Sequence, residues 1–180
     1  MTWRGSTTVR DRFFAGLPYL IPLLESLNFS LFIFMQVPLL QVIFLPLFPL
    51  LLIYNFSLGG MQIVPLALFI GLFVGVVRNP DMHHFLRFNT MQALLIAIVL
   101  YLCSLLLSLV GFMQPLVPLG FSVSASSLQG IQAPILLIIF FDTVFLGTLV
   151  AVAYSIVQCV RGLYAEIPFI SEAAYEQTRY

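Results

Sequence analysis

Long apolar runs separated by short polar breaks organise the chain. Crossing a bilayer takes about 20 apolar residues at a rise of about 1.5 Å each. Four runs are long enough: residues 36–54, 61–77, 91–112 and 134–160. The second is the shortest and still lies within the usual range of about 17 to 25 residues for a span. A fifth apolar stretch, 13–35, is interrupted by Pro18, Pro22, Glu25, Asn28 and Ser30. Proline removes a backbone donor and kinks a helix, so this stretch is open to three readings: a span, a re-entrant segment, or a helix lying in the interface. The pattern predicts an all-α, polytopic integral membrane protein with four transmembrane helices.

Charge decides how the runs are threaded. With four spans, one side receives the N-terminus, the linker 78–90 and the tail, and with them Arg4, Arg10, Arg12, Arg78, Arg87, Arg161 and Arg179. The other side receives 55–60 and 113–133, which contain no charged residue. The positive-inside rule places the arginine side in the cytoplasm or its equivalent. Making 13–35 a fifth span moves three arginines across, so that stretch is assigned to the interface or to a re-entrant hairpin on the arginine side. The expected organisation is a single membrane domain, 1–180. Residues 1–12 form a solvated N-terminus, 13–35 the interfacial segment, and 161–180 a surface tail. The break holding Gly59 and Gly60 is short enough to make the first two spans antiparallel neighbours. The uncharged linker 113–133 is expected to rest on the membrane surface.

Composition agrees. Hydrophobic residues make up 61% and charged residues 8%, against about 25% charged in soluble domains. A soluble domain this apolar cannot cover its own surface. Net charge is zero, which argues against nucleic acid as a partner. Cys103 and Cys159 lie within apolar runs without metal-ligand spacing, so no disulfide or metal framework is expected. The first apolar run is too long for a signal-peptide core and no small-residue cleavage site follows it. The N-terminus is read as a mature, short end.

Few positions carry candidate chemistry. Thr143, Gly147, Ala151, Ser155 and Cys159 set small side chains at every fourth position of the last span. Small residues let helix backbones approach closely in lipid, so this face is expected to pack within the molecule, against another subunit, or along a conduit. Ala93, Ala97, Ser104 and Ser108, and Gly71 with Gly75, form shorter versions on the two preceding spans. Asp142 is the acid well inside a run. It sits about 28 Å along a helix from Arg161, near the far interface, which suits a partly hydrated structural role as well as a pathway. Pro46 and Pro49 should kink the first span. His83 and His84 are adjacent and point about 100° apart on a helix, a poor metal pair. No HExxH, GxSxG or Walker sequence is present, so neither enzymatic activity nor a cofactor is expected. The densest polar stretch is RNPDMHHFLRFNTMQA, where Arg78 and Arg87 are placed at the interface and Gln92 enters the apolar run needing a partner. Two Asn-x-Ser sequons, at Asn28 and Asn55, are common by chance.

Three segments also carry a resemblance. They are LPYLIPLLESLNF from Leu17; VVRNP followed by RFNTMQA, through Arg78, Asn79, Arg87, Phe88, Asn89, Met91 and Gln92; and TVFLGTL leading into YSIVQCVRGLYAEIPFISEAA, through Gln158, Arg161, Gly162, Glu166, Pro168 and Glu172. In these the chain resembles the Tic-twenty family, the twenty-kilodalton subunit of the chloroplast inner-envelope import translocon and its cyanobacterial relatives. The resemblance implies four helices, both termini on the stromal or cytoplasmic side, and work beside other translocon subunits. No long transit peptide is seen, which points to a cyanobacterial plasma membrane or a plastid-encoded inner-envelope protein, and a free-living cell has no cytosolic precursors to import there. Three readings follow. The first is a translocon subunit that helps polypeptides cross, with Asp142, Gln92, Tyr154 and Gln158 near a hydrated groove. The second is a small-solute channel or carrier, for which midplane polar groups are few. The third is a scaffold or assembly factor that binds other membrane proteins. The resemblance favours the first, and a wall of four helices is thin enough that oligomers or hetero-complexes are expected.

Overall fold

A computed structural model describes residues 7–58, 61–109, 134–168 and 170–178. Arg4, Arg179, Gly59, Gly60 and the linker 113–133 lie outside the described residues.

The structure is helical apart from a two-residue antiparallel ladder. A capping box starts α1 (Val9–Gly16): the Asp11 amide donates to Thr8 Oγ1 at 3.2 Å and the Thr8 amide to Asp11 Oδ2 at 2.9 Å. Prolines then tighten the helix without stopping it. A 3-10 turn at Leu17–Tyr19 leads into α2 (Leu20–Ser26), and a second at Leu27–Phe29 into α3 (Leu31–Gln36). The backbone at every junction stays right-handed helical, so residues 9–36 form one rod about 42 Å long at about 1.5 Å per residue. It ends at Val37 (φ −132°, ψ 81°). Pro38 follows, and a residue before proline is driven out of the α region.

Beyond Val37 come α4 (Pro38–Phe44) and α5 (Phe48–Tyr54), divided by a 3-10 turn at Leu45–Leu47 where Pro46 falls. The ladder pairs β1 (Ser57–Leu58) with β2 (Met61–Gln62). Next is α6 (Ile63–Leu72), which widens into a π turn at Phe73–Val77. Two long helices follow: α7 (His84–Leu109) and α8 (Ile135–Arg161), both long and apolar enough to cross a membrane. Pro38–Tyr54 and Ile63–Val77 are shorter apolar helices. Helix α9 (Ile170–Thr178) closes the chain.

Two expectations need correction. The rod 9–36 is not a surface helix. It packs between α7 and α8, which touch each other far less than each touches the rod. Ala15, Tyr19, Glu25, Ser26, Phe29 and Phe32 are all buried. The rod runs against α8: Arg12 meets Val160 at one end and Gln36 meets Asp142 at the other. The rod therefore follows α8 from beside Val160 to Asp142. Nor is 78–90 a linker throughout. Helix α7 begins at His84, and Phe85, Arg87, Phe88, Asn89 and Thr90 are buried.

Aromatic side chains lock the far half of the rod to its neighbours. Phe29 and Phe32 each meet Phe141, with ring centroids 5.5 and 5.4 Å apart, and Phe34 meets Phe44 and Phe145. Tilted and edge-on pairs of this kind contribute about 0.5–1.5 kcal/mol each beyond their buried area. A second cluster brings Ile21 and Leu24 of the rod together with Leu51, Tyr54, Val77, Phe88, Met91, Leu94 and Ala174. Here α9 docks on α7, with Phe88 and Tyr175 rings 4.4 Å apart.

Helix α8 stops at Gly162, which is left-handed (φ 72°), and the Gly162 and Leu163 amides donate back to Cys159 and Gln158 carbonyls at 3.0 and 2.9 Å. A Cβ here would stand 2.7 Å from Thr7 Oγ1 and 2.9 Å from Arg12 Nε. Gly162→Ala is therefore expected to lose more than the about 1–2 kcal/mol of left-handed strain alone. Thermal unfolding in detergent should show a clearly lower midpoint; an unchanged one would rule out this cap and its contact with the N-terminal segment.

Candidate functional site: a buried polar layer between the rod, α7 and α8

Asn89 is the hub. It lies one turn inside α7, fully buried, and its side-chain N–H donates to the Phe85 carbonyl at 2.8 Å. That bond aims Oδ1 at the other two elements. Tyr19 of the rod donates its hydroxyl to Asn89 Oδ1 at 3.1 Å, and Cys159 of α8 donates its thiol to the same oxygen at 3.2 Å. All three side chains are fully buried. One amide oxygen thus ties together elements 70 residues apart in both directions along the chain. Gln92, one turn further along α7, and Ser155, one turn back along α8, are buried in the same region.

A second polar cluster sits beside it. Glu25 is 3% exposed and accepts from the Tyr54 hydroxyl at 2.9 Å and from Asn28 Nδ2 at 3.3 Å. In the sequence Glu25 reads as an interruption of an apolar stretch; inside the bundle it is an interior acid. Its partner Tyr54, at the end of an apolar run, carried no signal in the sequence. Tyr19 was missed for the same reason.

The remaining candidate residues separate into groups. Arg87 does not snorkel: it is 8% exposed and donates from Nε to the Val77 carbonyl at 2.8 Å. That carbonyl ends the π turn, so Arg87 holds the end of the α6 segment to α7. Phe88 packs against Tyr164 and Tyr175. Arg78 is exposed, and Asn79 accepts from the Asp81 amide at 3.0 Å, making the expected turn. Arg161 is exposed in the last turn of α8, where a cation complements the helix dipole. His84 Nδ1 lies 3.0 Å from the Tyr164 hydroxyl, part of the aromatic cluster that seats α9. Among the described residues no group of three potential metal ligands comes together.

The four residues expected around one groove are not brought together. Gln92 is interior, whereas Tyr154 is 41% exposed on the outside of α8 and accepts from Gln158 Nε2 at 3.1 Å. Asp142 stands at the far end, where Oδ2 accepts from Gln36 Nε2 at 2.9 Å. The small-residue stripe also divides. Ser155 and Cys159 are buried against the rod, Ala151 is partly buried, and Thr143 and Gly147 are exposed.

Removing the hub should strand its partners. Asn89→Leu is expected to cost about 1–3 kcal/mol, the penalty for a buried polar group left without a partner. Adding Tyr19→Phe to that variant should recover part of the loss, because it removes the stranded hydroxyl. Denaturant unfolding in detergent measures the cycle, and strict additivity would break the assignment.

The range over which the chain matches known proteins includes every residue of this layer. It matches the family described as Chloroplast import apparatus Tic20-like over residues 9–174. A Tic20 family protein of Synechocystis sp. is 42% identical over 172 residues, covering 95% of this chain and 94% of that one. Protein TIC 20-v, chloroplastic, of Arabidopsis thaliana is 31% identical, covering 96% of this chain and 73% of that protein. Protein TIC 20-II, chloroplastic, of the same plant is 30% identical, covering 98% and 78%. The match opens in α1 and closes in α9, so it takes in the rod, α7 and α8 together, and this helical membrane chain belongs to the Tic20 family.

Proposed function

We propose that the chain is a membrane-embedded subunit of a preprotein-import type of translocation complex and lines part of a polypeptide path. The observation that carries this reading is the uncharged polar layer of Tyr19, Asn89, Gln92 and Ser155, buried within a body whose outer face is apolar, in a chain of the Tic20 family. Polar groups are costly in a bilayer and mark pathways by default. Other translocon subunits and further copies of the chain are its partners, since four crossings make a thin wall. The exposed part of the small-residue stripe, Thr143 and Gly147, is a place for such contacts.

The threading that accompanies this proposal keeps four crossings but exchanges two roles. The rod 9–36, Ile63–Val77, α7 and α8 cross. Pro38–Tyr54 lies shallow on the uncharged side, running from the level of Asp142 only as far as Glu25, about 20 Å along the rod from Arg12. All seven arginines still fall on one side with both termini, as the positive-inside rule requires. A cysteine at Val37, 42% exposed, should then be labelled from the same, non-cytoplasmic side as one in the linker 113–133. Labelling of Val37→Cys from the cytoplasm returns the rod to the arginine interface.

Function is tested by site-specific photo-crosslinking in living cells from positions Gln92 and Ser155 in the polar layer, with Asp142 and Gln158 as sites outside it, read by mass spectrometry. Crosslinks to many unrelated polypeptides in transit are expected. Crosslinks confined to one or two fixed membrane proteins identify a scaffold or assembly subunit instead.

A further inference from the structure

Gln92 is fully buried, and neither its amide nitrogen nor its amide oxygen has a hydrogen-bonding partner among the described residues. Ser155 is likewise fully buried, and its hydroxyl approaches only that of Tyr19, which is itself engaged with Asn89. Leaving such groups dry costs about 1–3 kcal/mol each, and well-folded interiors pair nearly all of them. Two in one small region call for a shared explanation.

Their positions supply it. Gln92 follows Asn89 by three residues on α7, and Ser155 precedes Cys159 by four on α8. Residues three and four apart lie on one helix face. The Asn89–Cys159 bond fixes the level at which the two helices face each other, and α7 and α8 run in opposite directions. One turn forward on α7 and one turn back on α8 are therefore the same displacement, and both side chains stand at the next level into the bundle. Tyr19 lies beside Ser155 while its hydroxyl is engaged with Asn89. Buried Pro18 and Pro22 flank Tyr19 on the rod.

We propose that this level, bounded by Gln92, Ser155 and Tyr19, is a binding site for ordered water. Buried water makes two to four hydrogen bonds to otherwise unsatisfied groups. Gln92 offers two donors and an acceptor, and Ser155 one donor and two lone pairs. The set is neutral and mixes donors with acceptors, which suits water; a cation seeks several oxygen ligands, carboxylates among them. Water bridging α7 to α8 here continues the tie that Asn89 makes one turn away. The proposal stands independently of whether polypeptides pass through the protein.

The full chain in lipid nanodiscs, labelled with nitrogen-15, tests it by water-edited solid-state NMR. The Gln92 side-chain amide, identified by its loss in Gln92→Met, should gain polarisation from water well before the backbone amides of Leu94 and Ile96. In thermal unfolding, Gln92→Met should lower the midpoint, because the water loses its main partner and Ser155 is stranded. Ser155→Ala, a milder change, should shift the Gln92 side-chain resonance. Two results overturn the site: a Gln92 amide as slow to polarise as its buried neighbours, or a Gln92→Met variant with a raised midpoint, the sign of a dry amide relieved.

Discussion

A helix placed between two others in lipid gains nothing from the hydrophobic effect, since acyl chains are as apolar as its neighbours. What holds it is close packing and the pairing of every polar group it brings inside. The rod 9–36 meets this constraint through ties spread along its length. Arg12 and Thr7 engage the end of α8, Tyr19 bonds to Asn89, Glu25 accepts from Tyr54, and Gln36 bonds to Asp142. Between these ties, Phe29, Phe32 and Phe34 pack tilted or edge-on against α8 and α4. Helices α7 and α8 meet chiefly through this segment, so the bundle depends on it.

Proline shapes the same segment twice. At Pro18 the helix tightens into a 3-10 turn and at Pro22 it continues as α-helix, because its neighbours hold it in the right-handed region. At Val37, before Pro38, the chain leaves that region and the rod ends. The same residue type thus narrows a helix where packing surrounds it and stops one where it does not. The polar layer lies close to the first of these sites, where Tyr19 falls between the two prolines.

The Tic20 family match gives this arrangement its context. The matched range takes in Tyr19 of the rod, Asn89 and Gln92 of α7, and Gln158 to Gly162 at the end of α8. A motif such as RFNTMQA looks like a polar linker because its residues are polar. In the bundle they face inward, with Arg87 on the Val77 carbonyl and Asn89 on two partners.

Apolar run lengths and breaks were enough to place α8 within a residue of its expected bounds and to find Pro38–Tyr54 and Ile63–Val77. They missed the start of α7 by seven residues, since a helix end buried by its neighbours need not be apolar. Composition and the apolar runs determined the membrane class, and three motifs, two of them polar, pointed to the family. The sequence by itself had no means of choosing which apolar stretch lies inside. Lipid and protein present the same apolar surface to a helix, so periodicity cannot tell one from the other. Only the tertiary structure brought Tyr19 to Asn89 and Tyr54 to Glu25, because a hydrogen bond between elements distant in the chain is a property of their packing and leaves no trace in either segment alone.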